Sequence, residues 1–147
     1  MNALKIYCED PNCRPTRAHS TDAGLDLRAA VSVSLSIINT PVAIPTGVNI
    51  EIPPGYVGLI FPRSGLASKQ GIILANTIGV IDSDYRGEVI CMVKKTQGGL
   101  YRIEQYERIA QLVIIPCDLS QPEFVNKFEE LSITERGEGG FGHTGKH

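Results

Sequence analysis

The chain has 147 residues and a mass of 16.0 kDa, with 42% hydrophobic and 20% charged residues; that suits one domain with its own core and excludes a disordered or fibrous protein. Fourteen basic against sixteen acidic residues leave a formal charge of −2, which argues against a nucleic-acid backbone as the main partner but leaves room for a local arginine cluster on a small phosphorylated ligand. Histidine occurs only at His19, His143 and His147, and the cysteines Cys8, Cys13, Cys91 and Cys117 form no C-x-x-C pair, so neither a Ser-His-Asp or Cys-His machine nor a structural zinc site is indicated.

In chain order, Met1 to Asp10 has no apolar stretch of the signal-peptide kind, so the expected compartment is the cytoplasm and the thiols are expected reduced. Ala23-Gly24-Leu25-Asp26-Leu27-Arg28-Ala29 alternates, with Leu25 and Leu27 on one face and Asp26 and Arg28 on the other. No charge lies between Arg28 and Glu51, but Ser32, Ser34, Ser36, Asn39, Thr40, Pro41 and Pro45 make that stretch a poor membrane span. Val31, Val33, Leu35 and Ile37 alternate with serines, as a half-buried strand does. Val48 to Ile52 is a strand, Pro53-Pro54-Gly55 turns the chain, and Tyr56 to Phe61 reads as its returning partner. Ile72 to Ala75 and Val89 to Val93 are short apolar runs. Gln97-Gly98-Gly99 turns into a returning run, Leu100 to Ile103, and Ile109 to Ile115 is a Val/Ile-rich strand stopped by Pro116. Helical turns fit only Ser64 to Gln70 and Phe124 to Leu131. The expected fold is therefore all-β, a sandwich, jelly roll or barrel with one short helix, followed by a Gly-rich C-terminal arm.

Four polar clusters stand out. Gly79-Val80-Ile81-Asp82-Ser83-Asp84-Tyr85-Arg86-Gly87 packs two carboxylates, a phenol and a guanidinium into what reads as one hairpin; it is either a solvated turn or a carboxylate that orients water or holds a divalent ion. Pro62-Arg63-Ser64-Gly65-Leu66-Ala67 follows a strand and opens a helical stretch, either as a plain cap or as an anion seat. Asp26 sits on the polar side of its strand. Gln111, in Glu107-Arg108-Ile109-Ala110-Gln111-Leu112-Val113, is an amide in an apolar strand that needs a partner if buried. The tail from Arg136 holds five glycines together with Phe141, so it is either a spacer or an arm able to close on a ligand with an aromatic plate and a guanidinium. Its G-x-x-x-x-G-K string, Gly140 to Lys146, is followed by His147 rather than Ser or Thr, so a P-loop is not expected.

These segments, in this order, resemble the five motifs of the homotrimeric dUTP pyrophosphatase (dUTPase) family: Ala23 to Ala29, Pro62 to Ala67, Gly79 to Gly87, Arg108 to Leu112 and Arg136 to Gly145, with His143 where many members carry Ser. The resemblance implies a jelly-roll-like catalytic domain over residues 1–135 and a flexible arm over 136–147. It implies hydrolysis of dUTP to dUMP and pyrophosphate with Mg²⁺, which would keep uracil out of DNA and supply dUMP for thymidylate synthesis. By the same resemblance Asp82 activates the water that attacks the α-phosphate, and Arg63, Ser64, Gly65, Gln111 and Arg136 face the phosphates. Asp26 supports them, and Mg²⁺ is held mainly by the triphosphate rather than by the protein. The backbone of Gly79, Val80 and Ile81, with the Asn76 amide, would read the donor and acceptor pattern of uracil and reject cytosine. Tyr85 would lie under the deoxyribose, and Phe141, beside Gly142, would stack on the base. The implied assembly is a homotrimer with sites shared among subunits, with neither nucleic acid nor membrane as partner. Two other classes compete: a dCTP deaminase of the same fold, and a non-catalytic nucleotide-binding regulator.

Overall fold

The computed structural model describes residues 4–37 and 40–140. It contains the strands β1 (Lys5–Tyr7), β2 (Leu25–Arg28), β3 (Val33–Leu35), β4 (Val42–Glu51), β5 (Tyr56–Pro62), β6 (Ile72–Leu74), β7 (Gly79–Ile81), β8 (Glu88–Lys95), β9 (Tyr101–Ile103) and β10 (Arg108–Pro116). One helix, α1 (Ser64–Gln70), follows β5, and 3₁₀ turns lie at Pro11–Cys13 and Phe128–Glu130. The all-β, jelly-roll expectation holds. Two four-stranded sheets, ordered β1-β4-β8-β6 and β2-β10-β5-β7, enclose the core, and β3 pairs with β9 beside them. Every pairing is antiparallel.

Period-two alternation builds the core. Ile44, Thr46, Val48 and Ile50 of β4 and Val89, Cys91 and Val93 of β8 point inward against Leu25 and Leu27 of β2, Ile60 of β5 and Leu112 of β10. Burial pushes the Cys91 thiol up to about 12, so it packs as a small apolar group. Among the described residues no helix is long and apolar enough to cross a membrane.

The structure corrects the connections expected from the turns. Among the described residues no two consecutive strands pair: the Pro53-Pro54-Gly55 turn, the Gln97–Gly99 turn and the segment Ile81 to Glu88 each carry the chain from one sheet to another. Strand β4 already has β1 and β8 as neighbours, and β8 has β4 and β6. Neither keeps a free edge for a returning partner, so Tyr56–Pro62 pairs with β10 and β7 instead, and Tyr101–Ile103 with β3. Strand β4 also starts earlier than its Val48 to Ile52 core suggests, because Pro45 and Gly47 interrupt the apolar pattern without ending the strand. Of the expected Phe124 to Leu131 helix only the turn at Phe128–Glu130 forms. From Asp118 to Glu138 every residue is exposed, Phe124 at 87% and Ile133 at 100%, so the packed body ends near Cys117, whose N–H still donates to the Gly55 carbonyl.

Candidate active site

Two corners of the sheet β2-β10-β5-β7 collect the polar residues singled out from the sequence. At the β2 edge, Asp26 lies opposite Gln111 of β10, which in turn lies opposite Phe61 of β5. The Asp26 carboxylate is largely buried and takes an ion pair on each oxygen: Arg63 Nε at 3.2 Å on Oδ1 and Arg108 Nη1 at 3.0 Å on Oδ2. Arg63 Nη1 also donates to the Arg108 carbonyl at 3.2 Å, and Gln111 Nε2 donates to the Pro62 carbonyl at 3.3 Å. These bonds tie the ends of β5 and β10 together and hold two guanidiniums over one carboxylate. Ser64 and Gly65 follow Arg63 as exposed residues in the first turn of α1, where no side chain caps the free N–H groups. A cavity of about 350 Å³ opens beside this corner, lined by Asp22, Gly24, Asp26, Phe61 and Gln111.

Arg108 lies within a motif segment but carries no signal of its own in the sequence. Strict alternation puts Arg108 and Gln111 on opposite faces of β10. A β-bulge between Arg108 and Ala110 shifts the register, so Ile109 and Ala110 are both buried and Arg108 emerges on the same side as Gln111. Asp22, whose Oδ2 accepts from the His19 N–H at 2.8 Å, also joins the cavity from a loop that carries no periodic signal.

The second corner begins at β7, the other edge of the sheet. Among the described residues only β5 pairs with it, which leaves half of the backbone N–H and C=O groups of Gly79, Val80 and Ile81 without a ladder partner there. The approach to β7 is a tight turn in which Asn76 is exposed and Thr77 takes a φ of 65°, a costly conformation for a β-branched residue. After β7, the Tyr85 N–H closes a turn onto the Asp82 carbonyl at 3.2 Å, which leaves the exposed Asp82 side chain outside the turn's own bonding. The Tyr85 hydroxyl donates to the Glu88 carbonyl at 2.9 Å and its ring lies directly over Gly87, where any Cβ would collide with it. Arg86 bends back, donating through Nη1 to the Ser83 and Tyr85 carbonyls, both at 2.8 Å. A cavity of about 250 Å³ is bounded by Val80, Ile81, Asp82, Tyr85, Glu88 and Ile90.

The register fixes how far apart the corners are. Asp26 lies level with Phe61 on β5, whereas Ile81 lies level with Gly58 at the other end of that strand. Four residues along the strand and three strand spacings across put Asp82 about 20 Å from Asp26. One chain therefore brings together Asp26, Arg63, Arg108 and Gln111, and separately Gly79, Val80, Ile81, Asp82 and Tyr85, but does not join the two sets. Arg136 is exposed and donates through Nε to the Gly139 carbonyl at 2.7 Å. Phe141, Gly142 and His143 lie outside the described residues.

The dUTPase family model matches residues 11–145. The chain belongs to the dUTPase family. It is 48% identical to a deoxyuridine 5′-triphosphate nucleotidohydrolase of Fusobacterium nucleatum, over 97% of both chains. It is 44% identical to the Paraburkholderia phymatum protein of the same name, over 98% of this chain and 99% of that one. Among solved structures, a mutant dUTPase of Staphylococcus bacteriophage 80alpha with dUpNHpp superposes with a TM-score of 0.88 at 35% identity, covering 99% of each chain. A mutant dUTPase from phage phi11 of S. aureus, described with a structural Mg(II) ion, matches at a TM-score of 0.78 and 32% identity, over 87% of this dUTPase-family chain and 99% of its own.

Proposed function

We propose that the protein hydrolyses dUTP to dUMP and pyrophosphate, at sites assembled from more than one copy of the chain. Family membership over residues 11–145 supports the reaction. The observation that carries the assembly is the placement of Asp82 and the Asp26-Arg63-Arg108 corner at opposite edges of the four-stranded sheet; ideal strand spacing makes that about 20 Å, too far for a single α-phosphate to touch both. The exposed apolar residues Phe124, Phe128, Leu131 and Ile133 beyond the packed body fit the same reading, because such a surface asks for a partner. The assembly we propose is a homotrimer.

In this reading the Asp82 carboxylate takes a proton from water as its oxygen attacks the α-phosphorus. The bond from that phosphorus to the α,β-bridging oxygen breaks and pyrophosphate leaves. Arg63, Arg108 and Gln111, with the Ser64 hydroxyl and the Gly65 N–H, hold the phosphates and balance their charge. Among the described residues no three His, Cys, Asp or Glu side chains converge as a metal cage, and Asp26 is already engaged by two arginines. In this reading Mg²⁺ arrives on the triphosphate as part of the substrate, where it would lower the charge that the arginines must meet. The open backbone edge of β7, with Asn76, reads uracil, and Tyr85 lies against the sugar. Residues 136–147 form an arm that closes the site, Arg136 toward the phosphates and Phe141, followed by Gly142, over the base.

The test is pyrophosphate release from dUTP, dCTP, dTTP and UTP, with Mg²⁺ and with the metal chelated. Release from dUTP alone, and only with Mg²⁺, is expected. Ammonia from dCTP without pyrophosphate would identify a deaminase, and binding without turnover would identify a regulator.

A further inference from the structure

The turn that carries Asp82 and Tyr85 is held from outside by a defect in strand β4. The β4–β8 ladder runs from Val42↔Val93 to Pro45↔Ile90 and resumes only at Asn49↔Glu88, so four steps on β4 face two on β8. A bulge of this kind removes main-chain partners from the facing strand. Gly47, at a φ of 68°, makes the bend, and a Cβ there would come within 3.0 Å of Cys13 Sγ. Other groups replace the lost ladder bonds. The fully buried Thr46 donates through Oγ1 to the Val89 carbonyl at 2.6 Å, the Gly47 N–H donates to Glu88 Oε1 at 2.7 Å, and Asn49 Nδ2 donates to the Arg86 carbonyl at 2.9 Å.

Of these contacts, the Asn49 bond reaches furthest into the turn. Arg86, whose carbonyl it fixes, uses its guanidinium to hold the carbonyls of Ser83 and Tyr85. The path from β4 is thus Asn49, the Arg86 backbone, the Arg86 side chain, and then the residues between Asp82 and Tyr85. We infer that Asn49 is a positioning residue, which sets where the Asp82 carboxylate and the Tyr85 ring stand without touching substrate. The inference rests on the reading of Asp82 as base and Tyr85 as sugar contact. Its physical content is leverage: a shift of about 1 Å in a base can cost up to about a hundredfold in rate.

The test uses the purified full-length protein with Asn49→Leu, which keeps the bulk and removes the donor, and Asn49→Gln, which restores a donor on a longer stem. Four readouts are taken: amide hydrogen exchange over residues 82–89 without ligand, kcat and KM on dUTP, the ratio of kcat/KM between dUTP and UTP, and the melting temperature. For Asn49→Leu, exchange over 83–86 rises about fivefold, the factor expected when one bond to a backbone carbonyl is lost. Its kcat falls about tenfold while KM changes less, the dUTP preference narrows, and the melting temperature stays within a few degrees. Asn49→Gln recovers most of each change. Unchanged exchange overturns the inference, as does faster exchange with normal kcat and preference. A lowered melting temperature with an unchanged dUTP:UTP ratio makes Asn49 merely structural and also overturns it. Asp82→Asn runs alongside: if it is fully active, the catalytic reading falls and takes the inference with it, whereas an inactive Asp82→Asn beside a normal Asn49→Leu sinks the inference alone.

Discussion

The two corners of the sheet treat their carboxylates in opposite ways. Asp26 is largely buried, and each of its oxygens is engaged by a guanidinium. Asp82 is exposed, and its turn is closed by its main-chain carbonyl rather than by its side chain. A carboxylate engaged on both oxygens by guanidiniums is an anchor, holding Arg63 and Arg108 side by side. One whose oxygens remain open can orient a water and take its proton. In the proposed function this difference becomes a division of labour, with charge pre-paired at the corner assigned to the phosphates and left unpaired at the corner assigned to the reaction.

Exchanging the carboxylates for amides probes that division most strongly. Asp82→Asn keeps the shape and removes the basic oxygen, so kcat on dUTP is expected to fall by roughly 10²–10⁴ while substrate still binds. Asp26→Asn keeps an acceptor for one arginine only, and its loss should fall mainly on KM. If the larger loss of kcat followed the Asp26 change, the two roles would have to be exchanged.

The next largest effect comes from the C-terminal side. Ending the chain after Glu135 removes residues 136–147; among the described residues Arg136 is exposed and its side chain bonds locally, to the Gly139 carbonyl. The expected outcome is a folded protein with an unchanged ligand-free melting temperature and activity reduced about a hundredfold, from loss of the proposed phosphate arginine and base plate together. A melting temperature that drops by many degrees would make the segment part of the body.

Mixing chains tests whether the corners meet between subunits. Asp82→Asn and Arg63→Ala each spoil one corner and leave the other intact. In a ring whose sites pair one corner with the neighbour's other corner, equal mixing leaves about a quarter of the sites with both corners sound. Refolding the two weak variants together should therefore restore about a quarter of normal activity. Activity no higher than the average of the separate variants would place both corners of a site in one chain, against the geometry of the sheet.

The sequence shows one level of this organisation well and another poorly. Alternation places Asp26 opposite the buried Leu25 and Leu27, and Ser64 to Gln70 is helical as its spacing suggests. The first four motif segments lie at the ends of strands or on the edge strands β2 and β7. Pairing is not legible, because a turn signal such as Pro53-Pro54-Gly55 says that the chain reverses but not whether a neighbouring edge is already taken. The bulge at Ile109 hides Arg108, since one extra residue moves a side chain to the other face of its strand. The grip of Asn49 on Arg86 is invisible for the same reason: it depends on a register shift spanning Pro45 to Asn49 that no local pattern announces.

The smallest expected effect concerns selectivity rather than rate. The Tyr85 ring is fixed at two points, by its hydroxyl bond to the Glu88 carbonyl and by its packing on Gly87, a contact that only a residue without a Cβ permits. A ring held this way is restrained, and in the proposed pose against the sugar it excludes a 2′-hydroxyl by shape. Exclusion by shape is weak compared with an unmet hydrogen bond, on the order of 1–3 kcal/mol. Tyr85→Ala should accordingly narrow the kcat/KM preference for dUTP over UTP by about tenfold, through improved use of UTP more than through loss on dUTP. Tyr85→Phe separates the two anchors, because the ring and its seat on Gly87 remain while the hydroxyl bond is gone. Its preference should lie close to that of the unmodified protein if packing alone holds the ring, and part-way to the alanine variant if the Glu88 bond is needed. An unchanged ratio in Tyr85→Ala would move sugar discrimination away from this corner, leaving the phenol as a strut for the Asp82 turn.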